Sequence, residues 1–91
     1  MMMLQKELTI VNKLGLHARA AAKLVRSASA FASQIQIRRD NQTVNAKSIM
    51  GVMLLAAAKG TRIELQINGD DSQEALQVLS ELIQSGFGED E

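Results

Sequence analysis

The 91-residue chain contains no cysteine, no proline, no tryptophan and no tyrosine, only two phenylalanines and a single histidine. Each absence closes a class of function. Without cysteine there is no disulfide framework, thiolate zinc site or CxxC redox centre. One histidine leaves no multi-histidine metal site, so neither a metal nor a cofactor is expected. Without Tyr or Trp, the stacking platforms that readers of single-stranded nucleic acid use are missing, and nucleic acid is not expected as a partner. No apolar run approaches the roughly 20 residues of a membrane span, which leaves the membrane out as well. The first residues, Met1 to Glu7, have neither the charged lead-in nor the apolar stretch of a secretory signal, so a cytoplasmic protein is expected.

What is present suits a small folded domain. Hydrophobic residues make up 46% of the chain and charged residues 22%, too apolar for disorder and enough for one core. Residues 1–91 read as a single domain, with Glu89, Asp90 and Glu91 as a frayed acidic tail. The zero net charge conceals a division. All ten Lys and Arg fall in residues 1–62, whereas eight of the ten acids fall in residues 63–91. If Lys13, Arg19, Lys23, Arg26 and Lys47 gather at one site while the last helix and tail hold the acids away from it, the molecule is a dipole.

Periodicity gives the elements. Leu4, Lys6, Leu8 and Ile10 alternate as a first strand. From Ala18, the positions Ala21, Leu24, Val25, Ala28 and Phe31 or Ala32 recur at helical spacing over about four turns. Gln34–Arg38 and Thr43–Ala46 read as a hairpin about the turn Arg39-Asp40-Asn41-Gln42. Ser48 is a good N-cap for a second helix from Ile49 to Ala58, with Gly60 as its C′ glycine. Ile63, Leu65 and Ile67 face inward from a fourth strand. Asp71 and Glu74 have capping-box spacing before a last helix, which buries Ala75, Leu76, Leu79, Leu82 and Ile83 and closes at Gly86. The order β-α-β-β-α-β-α calls for an α+β open sandwich, a four-stranded antiparallel sheet with three helices on one face. Periodicity leaves the strand order open.

His17 falls at the start of the first helix, beside the backbone N–H groups of Ala18 and Arg19. Unpaired N–H groups and the positive end of the helix dipole favour an anion there, and the Arg19 guanidinium can bind phosphate oxygens. An imidazole nitrogen is also a competent nucleophile towards a phosphoryl group, so one His and one Arg suffice for a phosphocarrier. A surface-loop histidine is the plain alternative. Lys23 and Arg26 continue a basic stripe from Arg19 along one helix face. A charged stripe is usually only a solvated surface.

Two motifs then match a known family. Asn12-Lys13-Leu14-Gly15-Leu16-His17-Ala18-Arg19 resembles the active-site signature of the HPr phosphocarriers of the bacterial phosphoenolpyruvate-dependent phosphotransferase system. Lys47-Ser48-Ile49-Met50-Gly51-Val52-Met53 resembles that family's second signature, built around a regulatory serine. The resemblance covers residues 5–88 and implies the HPr-like open-faced β-sandwich with sheet order 1-4-2-3. It implies a carrier rather than a turnover enzyme: His17 accepts phosphate on Nδ1 from phosphorylated enzyme I and passes it to an enzyme IIA-type acceptor, with Arg19 steadying it. Ser48 would be the target of an HPr kinase/phosphorylase. Lys23, Arg26, Lys47, Ile49, Met50 and Met53 would meet partners, Met being an adaptable contact residue. A monomer is expected.

The sequence departs from the family at Ala20, where proline commonly follows His-Ala-Arg, so the first helical turn loses a pre-set φ and keeps an N–H. His-Ala-Arg-Ala-Ala-Ala-Lys and the Ser-Gly-Phe-Gly-Glu-Asp ending look more like nitrogen-branch (NPr-like) than sugar-transport carriers. Two other classes compete: an acylphosphatase-like enzyme, whose Gly-Arg phosphate cradle the first loop lacks, and an ACT-type ligand-binding regulatory module.

Overall fold

Residues 3–89 are described by a computed structural model. Alternating side chains make four strands, β1 (Met3–Thr9), β2 (Gln34–Arg39), β3 (Gln42–Asn45) and β4 (Arg62–Asn68), and three helices, α1 (Ala18–Ser29), α2 (Ile49–Leu54) and α3 (Ser72–Gln84); a short 3₁₀ turn, Gly86–Gly88, follows α3. The sheet is antiparallel throughout, in the order β1-β4-β2-β3. β4 sits centrally because its inward Ile63, Leu65 and Ile67 pair on one side with Leu8, Lys6 and Leu4 and on the other, for Leu65 and Ile67, with Ile37 and Ile35. Against that face, the buried stripes Ala20, Ala21, Leu24 and Ala28 of α1 and Ala75, Leu79 and Ile83 of α3 complete one core. Small alanines on α1 let the helix backbone approach closely.

Three local expectations are corrected. The second helix ends at Leu54, not at Ala58. The guanidinium of Arg39 takes the carbonyls of Leu55 and Ala56 at 2.6 and 2.9 Å, Ala56 turns to φ +49°, and Ala57 leaves the helix to accept a hydrogen bond from Leu16 N at 2.8 Å. Gly60 is therefore no helix cap; at φ +90° it turns the chain into β4, its N–H donating to Ile10 O at 2.7 Å.

Asp71 is the N-cap of α3 by position but makes no capping bond. Its carboxylate instead accepts from Ala32 N, Ser33 N and the Ser33 hydroxyl, fastening the α1–β2 connection to the start of α3. Those donors, the Ser33 hydroxyl foremost, hold its carboxyl below the ordinary aspartate value.

Candidate functional site

The loop between β1 and α1 is built to deliver one histidine. Ile10 ties its base to Thr61 by a 2.9 Å hydrogen bond, and a turn closes from Gly15 N to Asn12 O at 3.2 Å. Gly15 is required here: φ is +68°, and a Cβ would lie 2.5 Å from the Ala57 carbonyl oxygen. Leu16 is buried and anchored on that same carbonyl, so His17 emerges at the N-cap of α1 with φ −74° and ψ 178°.

The ring of His17 is 26% exposed and held at both nitrogens. Nδ1 accepts from Arg19 N at 3.3 Å, the long end of hydrogen-bonding range, and Nε2 lies 2.5 Å from Oε2 of Glu89. A nitrogen that accepts from a backbone N–H carries no proton, so the pattern assigns the proton to Nε2, which donates to Glu89. Nδ1 keeps its lone pair. Buried Asn12 donates through Nδ2 to Glu89 Oε1 at 3.0 Å and to Gly15 O at 2.8 Å, linking tail, loop and ring. The Asn12 amide, ahead of the His17 contact and the Lys23 charge, holds the Glu89 carboxyl below the ordinary glutamate value against the opposing effect of burial.

An open depression lies over the ring, lined by Lys13, Leu14, Ala18, Arg19, Lys23, Gly88 and Glu89. The start of α1, Arg19 and the two lysines give this depression a basic lining of a kind that suits an anion.

Of the residues expected at the site, His17, Ala18, Arg19 and Lys23 are brought together. Lys23, however, spends its ammonium on Phe87 O at 2.8 Å and so holds the tail. Lys47 is not gathered there: Nζ bonds Phe31 O at 2.7 Å, beyond the far end of α1. That is roughly 18 Å from the His17 end at 1.5 Å rise per residue. Arg26 lies exposed in the last turn of α1. Ser48 caps α2, its Oγ accepting from Gly51 N at 3.1 Å. Ile49, Met50 and Met53 are exposed, Met50 by 77%, as are Leu54 at the end of α2 and Leu14 in the histidine loop.

The largest correction concerns the tail. Glu89 is neither frayed nor away from the site; its side chain is 12% exposed and lies on His17. Asp90 and Glu91 lie outside the described residues. Sequence reasoning also gave Asn12 and Phe87 no role. The one signal available was the pair of glycines flanking Phe87, which permits a sharp reversal after the last helix.

Fold and site together define an open-faced α+β sandwich that presents one histidine at a helix start. Residues 4–85 match the PTS-HPr family model, described as the PTS HPr component phosphorylation site, and the chain belongs to this family of phosphocarriers. It is 57% identical over 88 residues to a phosphocarrier protein HPr of Xylella fastidiosa, covering 97% of this chain and 99% of that one. A crystal structure of HPr-C-His from Thermoanaerobacter tengcongensis superposes with a TM-score of 0.93 at 49% identity, covering 97% and 99% of the two chains. An HPr dimer from the same organism matches at a TM-score of 0.77 and 52% identity, covering 90% and 94%. None of these relatives favours the acylphosphatase-like or ACT-type alternatives. Among the described residues no helix is long and apolar enough to cross a membrane.

Proposed function

We propose that the chain carries a phosphoryl group on Nδ1 of His17, from phosphorylated enzyme I to an enzyme IIA-type acceptor. The observation that carries this reading is the asymmetric ring: Nε2 is engaged at 2.5 Å by a carboxylate, while Nδ1 meets only the long 3.3 Å contact from Arg19 N, which an incoming phosphoryl group has to displace, and the ring lines an open depression with Lys13, Arg19 and Lys23. Arg19 steadies the phosphoryl oxygens, with backbone N–H groups of Ala18 and Arg19 beside it. Ile49, Met50 and Met53, continuous with Leu54, form the apolar part of the docking face, and Arg26 and Lys23 its basic border. His17, Asn12 and Glu89 close one site within one chain, which supports a monomer as the working state.

The acceptor we favour is that of the nitrogen branch, on the His-Ala-Arg-Ala-Ala-Ala-Lys run and the Gly-Phe-Gly-Glu-Asp ending. Ser48 serves as a helix cap and as a target of an HPr kinase/phosphorylase; phosphate at a helix start is electrostatically favourable. Incubation with enzyme I and labelled phosphoenolpyruvate, followed by purified nitrogen-branch or sugar-branch IIA proteins, tests the scheme. The expected result is acid-labile label on the chain that moves faster to the nitrogen-branch acceptor. Label that never leaves the chain would refute a carrier, and faster transfer to a sugar acceptor would reverse the branch.

A further inference from the structure

Ala56 stands at φ +49°, in the left-handed region that an alanine avoids because its Cβ crowds the following carbonyl. It is exposed, so burial does not pin it there. What meets it is Arg39, at the end of β2, whose Nη1 donates to the carbonyl oxygens of Leu55 at 2.6 Å and of Ala56 itself at 2.9 Å. A cation at the end of α2 answers both the unpaired carbonyls and the negative end of the helix dipole. The Asp40 carboxylate, 4.0 Å from the same guanidinium and 90% exposed, competes weakly for it.

The next carbonyl along the chain, that of Ala57, is the one from which the histidine loop hangs. It accepts from Leu16 N at 2.8 Å, and it leaves no room for a Cβ on Gly15. Leu16 is buried, and His17 follows it directly. Arg39 itself does not line the depression over the ring. We propose that Arg39 is a positioning residue for phosphoryl transfer, its guanidinium holding Ala56 in the left-handed turn and so fixing the Ala57 carbonyl that carries the His17 loop. The inference rests on the carrier reading above.

A strained backbone conformation persists only where its surroundings over-determine it. With the guanidinium gone, Ala56 relaxes towards an ordinary φ, the Ala57 carbonyl turns with it, and the bond from Leu16 N loosens. The imidazole is then presented in more than one pose. Arg39 lies outside both the depression and the proposed docking residues, so its loss should act on the transfer step through orientation and leave docking intact. Glycine adopts a left-handed φ without help, so Ala56→Gly should make the guanidinium largely dispensable.

The test compares Arg39→Ala, Arg39→Lys, the double variant Arg39→Ala with Ala56→Gly, and the control Arg38→Ala, which removes the neighbouring arginine and its bond to Glu64. Transfer from enzyme I is measured at a temperature at which circular dichroism shows every variant folded. The expected result is a kcat about fivefold lower in Arg39→Ala with KM within about twofold of the wild type, and a smaller loss in Arg39→Lys. The double variant should recover most of the loss, and Arg38→Ala should stay within about twofold of the wild type. An unchanged kcat in Arg39→Ala, a double variant no faster than Arg39→Ala, or an equal loss in Arg38→Ala would overturn the proposal. With no phosphoryl donor present, the Leu16 amide should exchange with solvent about fivefold faster in Arg39→Ala than in the wild type. Unchanged Leu16 protection would overturn the clamp even if His17 proved to be the carrier, whereas a wild type that takes up no label would refute the carrier alone, so the two readings fail separately.

Discussion

At the scale of single residues, the proposed function gives His17 the role of nucleophile and Arg19 that of phosphate ligand, each with its own expected loss. His17→Ala should abolish acid-labile phosphorylation and cost only about 1 kcal/mol of stability, the loss expected for an N-cap. Arg19→Ala should slow transfer by about ten- to a hundredfold without abolishing it, since the backbone N–H groups remain. Equal loss in both variants, measured as initial transfer rate, would show the roles to be misassigned. Glu89 adds a pH signature. Its folded-state pKa is lowered, so its contribution to stability is full above the ordinary value of 4.5 and is lost as pH falls through the folded value. Thermal melts of wild type and Glu89→Gln should accordingly differ at pH 7 and converge in acid; a gap that persists would contradict the tie. His17 and Arg19 were legible because a helix start, a histidine and an arginine lie together in sequence. Glu89 was not, because the direction of the tail depends on a positive φ at Phe87, a non-glycine residue whose backbone preference points elsewhere.

Among the elements, the ones that position the site owe their limits to long-range ties rather than to propensity. The alanine-rich run after Leu55 reads as helix, but Arg39 and Leu16 claim its carbonyls, so α2 stops after six residues and its end becomes the floor of the histidine loop. Competition from a side chain 16 residues away cannot be read from local periodicity. The Asp71–Glu74 pattern misled for the same reason, since the Asp71 carboxylate serves Ser33 and Ala32 instead of its own helix. By contrast, the inward face of β4 was legible residue by residue and those of α1 and α3 in their central positions, Ala21, Leu24 and Ala28, and Ala75, Leu79 and Ile83, while Val25, Phe31, Leu76 and Leu82 sit only partly buried at the margins and buried Ala20 was not expected. Gly15→Ala should therefore destabilise the fold by about 2 kcal/mol or more, since it meets both a left-handed φ and the Ala57 carbonyl. It should also displace His17 and lower transfer; a silent Gly15→Ala in a denaturant melt would show that the loop does not rest on the Ala57–Ala58 segment that follows α2. Ser48→Asp should keep the cap and weaken enzyme I docking several-fold, because it sets a charge beside Ile49 and Met50. A fall in melting temperature with unchanged kinetics would contradict that.

For the whole molecule, the sequence division of charge survives only in part. The basic groups that remain around His17 are Lys13, Arg19 and Lys23, while Lys47 belongs to the opposite end of α1 and Glu89 brings a negative charge into the site. Steering of acidic partners should thus rest on few charges. Transfer under subsaturating conditions should fall several-fold between about 0.05 and 0.5 M salt, where the screening length shrinks to a few ångströms. Reversal of Arg26 should reproduce part of that loss, and a rate flat with salt would remove steering from the account. All of it depends on one atom carrying the phosphoryl group. The direct measurement is a ³¹P–¹⁵N coupling experiment on ¹⁵N-histidine-labelled chain, phosphorylated through enzyme I. The arrangement of Arg19 N, His17 and Glu89 predicts a single phosphoryl group per chain, coupled to Nδ1, with the proton on Nε2. Coupling to Nε2, or a phosphoryl group that couples to no histidine nitrogen, would contradict it.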